Sequence, residues 1–368
     1  MKIILLTSSL GSGGAERVAT TLCDAWVARG YQVTLIPTFS GGGQPFYKSS
    51  DEVKLIYLAD VVGINRKTLI GYLKRLFALR RIIKDRQPDV IISFLPNVNV
   101  ATIIATAFLR TPLIICERRD PSSQSCTKLW ELACRKLYRY SDMVTVQTES
   151  VAEKILHNYP GLKKVRYIPN PLPEGVIEVL KNRLFGERKI LLSLGRFSAE
   201  KQVRLIIDAF AEIAPRLDNW DLHIYGDGPL KIEIEEQIIN LGLRERIILK
   251  GHTTSPWRVM AEADAFVMAS KYEGFPNALL ESMGVGLPCV AFDCPSGPRE
   301  ITDNGKYAML VNLNDQNDFV KALEKIMSDD VFSVELGKQA RVSIVSRYRL
   351  SKVLDRWDQL FRELGVHH

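Results

Sequence analysis

The chain has 368 residues, 46% of them hydrophobic and 25% charged, so it is too long for one ordinary core and apolar enough to fill two. No apolar run reaches the roughly 18 residues of a spanning helix, and Met1 to Leu10 runs into a glycine loop rather than a small-residue cleavage site, so a cytoplasmic protein is expected. The net charge of +7 is uneven: residues 1–180 carry about +9 and the rest about −2, a surplus that nucleic acid, an anionic membrane or a phosphorylated acceptor would each explain.

In chain order, Ile3 to Thr7 reads as a strand that opens into Gly11-Ser12-Gly13-Gly14-Ala15-Glu16-Arg17. Val18, Leu22, Ala25 and Trp26 then follow at helical spacing. Glycines here let the backbone approach an oxyanion, and the helix start offers free N–H groups; a purely structural turn is the alternative. Glu16 stands where a dinucleotide fingerprint wants glycine, so that pattern fails. Further strands are expected at Val33 to Pro37, Val53 to Leu58, Val90 to Phe94, Leu113 to Cys116 and Met143 to Val146.

Between them, Arg66 to Arg86 holds eight basic residues against Asp85 alone, with Leu69, Leu73, Leu76, Phe77 and Ile83 interleaved at helical spacing. Such a helix could lie on anionic lipid and meet acceptor phosphates through Arg66, Lys67, Lys74, Arg75, Arg80, Arg81 and Lys84, joined by Arg118 and Arg119. Equally, it could be a surface helix packed on its own sheet.

The prolines of Ile168-Pro169-Asn170-Pro171-Leu172-Pro173 disfavour helix and mark a linker, after which the strand–helix rhythm restarts. Strands are expected at Ile190 to Leu194, Leu222 to Tyr225, Ile247 to Leu249, Ala265 to Met268, Pro288 to Phe292 and Ala308 to Val311. Two doubly wound α/β units follow, residues 1–172 and 173–349, with ligand sites beyond the carboxyl ends of their strands and a cleft where those ends face each other. Residues 350–368 read as a final helix returning to the first unit, while His367 and His368 carry no argument.

The second half holds the sharper chemistry. Gly195-Arg196 closes a strand and Lys201 follows near a helix start, placing a guanidinium fork and an ammonium where a diphosphate would leave. In Glu273-Gly274-Phe275-Pro276-Asn277-Ala278-Leu279-Leu280-Glu281 one carboxylate sits at a helix mouth and the other about a turn inside, with the amides of Phe275 to Ala278 between them. His157, His223 and His252 form no metal-spaced set. Cys23, Cys116, Cys126, Cys134, Cys289 and Cys294 lack zinc spacing and read as reduced thiols.

That nonapeptide, followed by Gly286-Leu287-Pro288 and Cys294-Pro295-Ser296-Gly297-Pro298-Arg299-Glu300, resembles the signature of the retaining glycosyltransferases of family 4. Gly13-Gly14-Ala15-Glu16, Asn170-Pro171, Gly195-Arg196 with Lys201, and Gly226-Asp227-Gly228-Pro229 occur in that family's order, over residues 1 to about 345. The resemblance implies the GT-B fold, two Rossmann-like domains across a cleft. It implies that Arg196 and Lys201 hold the donor diphosphate, that Glu281 binds the ribose, and that Glu273, Phe275, Pro276, Asn277, Ala278 and Leu279 meet the sugar. Thr253 would lie by the base, and Gly13 and Gly14 by diphosphate or acceptor.

No metal or other cofactor is implied. The sequence departs from the family at Glu117, which stands where many members carry histidine; its carboxylate could take an acceptor proton or pair with Arg118 or Arg119. Within the family the pattern is similar to bacterial enzymes that extend polyprenyl-diphosphate-linked glycans and surface polysaccharides. The expected partners are therefore a UDP-linked nucleotide sugar, a lipid-linked glycan and an anionic membrane on the cytoplasmic face, with no nucleic acid. A GT-B nucleotide-sugar epimerase and a non-catalytic lipid- or glycan-binding module remain the alternatives, and a nicotinamide oxidoreductase is disfavoured by Glu16.

Overall fold

The computed structural model describes residues 1–63, 68–118, 128–179 and 188–366, apart from the side chains of Leu69, Lys128 and Leu129. Arg66, Lys67, Arg119, Cys126, His367 and His368 lie outside the described residues. The chain divides into two compact units, Met1–Asn170 with Ser351–His368, and Pro171–Leu350.

The first unit holds a seven-stranded sheet of β1 (Lys2–Thr7), β2 (Gln32–Pro37), β3 (Lys54–Leu55), β4 (Val90–Phe94), β5 (Leu113–Cys116), β6 (Met143–Val146) and β7 (Val165–Tyr167), in the order β3-β2-β1-β4-β5-β6-β7. Its strand pairs are parallel, β1 lying between β2 and β4. That adjacency reverses the strand order at β1/β4, the switch point beyond which such sheets hold ligands. Parallel strands covered on both faces read as apolar runs, and β1, β4 and β5 are buried almost throughout.

The second unit repeats the plan with β8 (Lys189–Leu194), β9 (Trp220–Tyr225), β10 (Ile247–Gly251), β11 (Ala265–Met268), β12 (Cys289–Asp293) and β13 (Met309–Asn312), ordered β10-β9-β8-β11-β12-β13. Alternate residues of these strands serve two cores. Leu191, Val267 and Val290 point into one, Leu192, Phe266 and Ala291 into the other.

Two sequence expectations shift. Val53 to Leu58 shrinks to the pair β3, because Leu58 instead begins the short helix Leu58–Val62 and is buried there. The strand Val165–Tyr167 was not foreseen; only partly buried and carrying Arg166 at its centre, it lacks the apolar run that marks its neighbours. The terminal helix Leu350–Glu363 carries Trp357 and Phe361, whose rings lie 5.5 and 6.0 Å from that of Trp26 on the helix Gly14–Ala28. Edge contacts between large rings contribute beyond their buried area, so this cluster ties the end of the chain to the first unit.

Candidate functional site

In the second unit the motif residues meet at the carboxyl ends of β8 and β11. After β8, Gly195 N donates to Tyr225 O at 3.0 Å and Phe197 N to Asp227 O at 2.9 Å, so the Arg196 turn is laced to the Gly226-Asp227-Gly228 loop. A Cβ on Gly226 would collide with the Gly195 carbonyl, and one on Gly228 with the Phe197 backbone. Glycine is therefore required here by close approach. Arg196 itself is exposed at the rim.

The short turn Ala199–Lys201 precedes the helix Val203–Ile213, and Lys271 N donates to Glu200 O at 2.7 Å, drawing the loop after β11 against it. Lys201 Nζ consequently donates to Glu273 Oε1 at 2.6 Å, with the carboxylate side chain only 11% exposed. The expected diphosphate cation and sugar carboxylate thus form one partly buried ion pair.

Glu273 leads into the helix Asn277–Val285, whose N-cap Pro276 supplies no side-chain cap. The N-cap residue itself therefore contributes no side-chain acceptor to the amides at this end. Ser296 Oγ donates to Gly274 O at 2.9 Å, and Gly297, at φ +94°, leaves no room for a Cβ beside Pro276. Sequence reasoning quoted Ser296 and Gly297 as motif letters without a role; they clasp the Glu273–Pro276 loop. Beneath it the Cys294 thiol is pushed up to about 12 by burial and by Glu273, which keeps it protonated.

Glu281 is 1% exposed, and Trp257 Nε1 donates to its Oε2 at 3.0 Å. Phe275 and Leu279 are buried, whereas Asn277 and Ala278 are partly open. Thr253 Oγ1 accepts from Ser255 N at 3.1 Å in the loop between β10 and the helix Pro256–Glu262.

The first unit is arranged differently from expectation at three places. Gly13 caps the helix Gly14–Ala28, yet the Glu16 carboxylate, taking a bond from Ser9 Oγ at 3.0 Å, folds back to where a Gly13 Cβ would stand. A first-turn carboxylate neutralises part of the positive helix end, so Gly13 and Gly14 offer an anion less than their sequence suggests. Glu117 is 1% exposed and accepts from Tyr138 Oη at 2.9 Å, while Asn99 Nδ2 donates to the same hydroxyl at 3.1 Å. Its carboxylate points into the unit, because a buried charge needs such donors. Burial, then the Glu117 charge, raises the Tyr138 phenol well above its ordinary value. Arg118 stacks 3.6 Å over Phe94 and donates to Asn170 Oδ1 at 2.6 Å. Burial pulls its guanidinium down to about 10, still a cation at neutral pH.

Third, the basic helix spans Leu69–Arg86, with Thr68 Oγ1 accepting from Gly71 N at its start. Its outer face presents Ile70, Leu73 and Phe77 at 66, 48 and 71% exposure, together with exposed Lys74, Arg81 and Lys84. Arg75 and Arg80 leave that set. Arg75 is 5% exposed and lies over Phe39, and Arg80 donates to Ala105 O and Ala107 O, both at 2.8 Å, at the end of the helix Pro96–Thr106. The i, i+4 row that buries Leu79 and Ile83 also carries Arg75 inward. Leu95, just past β4, holds φ +78°, a conformation that costs a non-glycine residue energy and clusters at functional sites. No sequence signal marked it beyond the following Pro96.

Two doubly wound parallel units, the second with a cation–carboxylate pair beside a helix start at its strand ends, fit the GT-B class of nucleotide-sugar enzymes. Family models agree over most of the chain: Glycosyltransferase Family 4 on residues 12–174 and Glycosyl transferases group 1 on residues 177–343. The chain is a glycosyltransferase whose first half belongs to Glycosyltransferase Family 4 and whose second half belongs to Glycosyl transferases group 1. It is 28% identical, over 99% of both chains, to the GalNAc-alpha-(1->4)-GalNAc-alpha-(1->3)-diNAcBac-PP-undecaprenol alpha-1,4-N-acetyl-D-galactosaminyltransferase of Campylobacter jejuni. A second transferase of that organism, acting on N-acetylgalactosamine-N,N'-diacetylbacillosaminyl-diphospho-undecaprenol, is also 28% identical, over 89% of this chain and 91% of its own. In fold it is similar to TarM (TM-score 0.83, 16% identity, 98% of each chain). It is likewise similar to the sucrose-phosphate synthase of Thermosynechococcus elongatus (TM-score 0.85, 17% identity, 99% of each chain).

Proposed function

We propose that the chain is a retaining transferase that moves a hexose or N-acetylhexosamine from a UDP-sugar to a polyprenyl-diphosphate-linked glycan, at an anionic membrane surface on the cytoplasmic face and without a metal. The observation that carries this reading is the Lys201–Glu273 pair at the ends of β8 and β11, which supports assigning the cation to the diphosphate and the carboxylate to the sugar. The Campylobacter relatives, named for undecaprenol-linked acceptors, support the acceptor class.

On this reading Arg196 grips the diphosphate by its planar fork and Lys201 turns from Glu273 towards the same charge. Both stabilise the anion that develops as the bond between the anomeric carbon and the diphosphate oxygen breaks. Glu273 then has an oxygen available for a sugar hydroxyl, beside the amides of Phe275 to Ala278. Glu281 receives the ribose hydroxyls and the Thr253 loop the base. The acceptor hydroxyl oxygen bonds to the anomeric carbon on the face the diphosphate leaves, and its proton passes to the departing diphosphate oxygen.

Among the described residues no helix is long and apolar enough to cross a membrane. The outer face of Leu69–Arg86 supports a peripheral contact instead, since exposed apolar residues interleaved with cations suit an anionic interface. Phe108, 101% exposed at the end of the neighbouring helix, extends that character.

The test is a panel of nucleotide sugars with and without a short polyprenyl-diphosphate glycan, in EDTA, reading nucleoside diphosphate release, product mass and the configuration of the new linkage. Glycan growth with the donor's configuration kept is expected. An inverted linkage refutes retention, loss of turnover in EDTA refutes metal independence, and donor isomerisation without growth makes the enzyme an epimerase.

A further inference from the structure

We infer that Trp257 is a positioning residue that sets the Glu281 carboxylate for the donor ribose and thereby gives the site its preference for ribonucleotides. The inference rests on the assignment of Glu281 to the ribose made above.

Glu281 lies within the helix Asn277–Val285 at 1% exposure, where a carboxylate depends on protein donors rather than water. The Trp257 indole is a donor only, and its Nε1 meets Glu281 Oε2 at 3.0 Å, so the bond has one direction and favours the acceptor form of the carboxylate. The bond to Oε2 restricts how the carboxylate can turn about its side chain. Two neighbouring hydroxyls, each of which must donate along a lone-pair direction, then meet acceptors already oriented for them.

The indole is itself held. Gly175, in the short helix Glu174–Glu178, packs so closely that any Cβ there would run into the Trp257 ring. Trp257 is also the second residue of the helix Pro256–Glu262, just after the Thr253 loop, so one stretch of chain would carry both the base contact and the support for the ribose contact. Sites built to hydrogen-bond a hydroxyl discriminate strongly against analogues that lack it, because the acceptor is left unmatched.

The experiment uses the full chain and calorimetric titration with whichever of UDP, GDP and ADP binds most tightly, alongside its 2′-deoxy and 3′-deoxy counterparts. The wild type is expected to favour the ribonucleotide by about tenfold or more, as loss of a hydrogen bond to a charged group implies. Trp257→Phe should bring that ratio close to unity and raise the donor KM at little change in kcat. Benzothienylalanine at 257, which keeps the ring and replaces the N–H by sulfur, should do the same with an unchanged melting temperature, which separates the lost donor from lost packing. A wild-type ratio in the sulfur variant overturns the inference. Glu281→Gln separates the two assignments: if it too keeps the ratio, the ribose role of Glu281 falls, whereas if it alone collapses the ratio, only the role of Trp257 falls.

Discussion

The strand ends of the two units hold their charges in opposite ways. In the second unit Lys201 and Glu273 face each other at 2.6 Å with part of each side chain open, and the neighbouring loop is clasped by Ser296 and Gly297. In the first unit Glu117 is buried and bonded to Tyr138, Glu16 is folded over the helix end at Gly13, and exposed Lys74, Arg81 and Lys84 stand on the outer face of Leu69–Arg86. A charge pair with exposed edges can exchange one partner for a ligand; a carboxylate with buried donors holds the shape of its surroundings. On the proposed function the second unit meets the small charged donor directly, and the first presents a surface.

The sharpest way to break this contrast is to remove the cations of the second unit. Arg196→Ala and Lys201→Ala are each expected to lower kcat/KM by about 10²- to 10³-fold, as for other donors aimed at developing negative charge. Steady-state kinetics at varied donor would check it, and a loss below tenfold for both would move the diphosphate contact elsewhere.

The next test compares two sets of basic residues on one helix. Replacing exposed Lys74, Arg81 and Lys84 by glutamate should weaken binding to vesicles rich in anionic lipid by more than about a hundredfold, at roughly 1 kcal/mol for each cation near the surface. Arg80→Ala should leave vesicle affinity nearly unchanged and lower the melting temperature, because its bonds go to Ala105 and Ala107. Flotation and thermal melts on the same preparations separate the two. Equal vesicle binding by the triple variant and the wild type would remove the membrane from the proposal.

The sequence reached this contrast unevenly. The strands Val90–Phe94, Leu113–Cys116, Met143–Val146 and Ala265–Met268 were legible to the residue, because buried parallel strands are short apolar runs between breakers. Lys201 and Glu273 were each placed in the donor set, but the pairing of residues 72 positions apart depends on the Lys271–Glu200 backbone bond, which no periodicity carries. Periodicity gave the Leu69–Arg86 helix its two faces without showing that Arg75 belongs to the inner one, since an arginine stem packs like an apolar chain. A lone tryptophan such as Trp257 has no motif at all until its partner Glu281 is seen beside it.

The smallest expected effect concerns Glu117, where the contrast is most open to being overturned. Were its carboxylate to take part in the chemistry, Glu117→Gln would abolish turnover and leave donor binding intact, while Tyr138→Phe, which removes only the hydroxyl that bonds it at 2.9 Å, would keep most of the activity. Were it a buried support, the two changes would act alike. Each would then weaken one hydrogen bond to a buried charge, lowering stability by about 1–3 kcal/mol and activity by a similar modest factor. Tyr138, which bonds the carboxylate, itself stacks on Tyr159, so Glu117 is tied into the packing of the unit and the second outcome is expected. Denaturation midpoints and turnover of the two variants, measured side by side, decide it: parallel losses keep the first unit as a presenting surface, and loss of turnover in Glu117→Gln alone places a reacting group there.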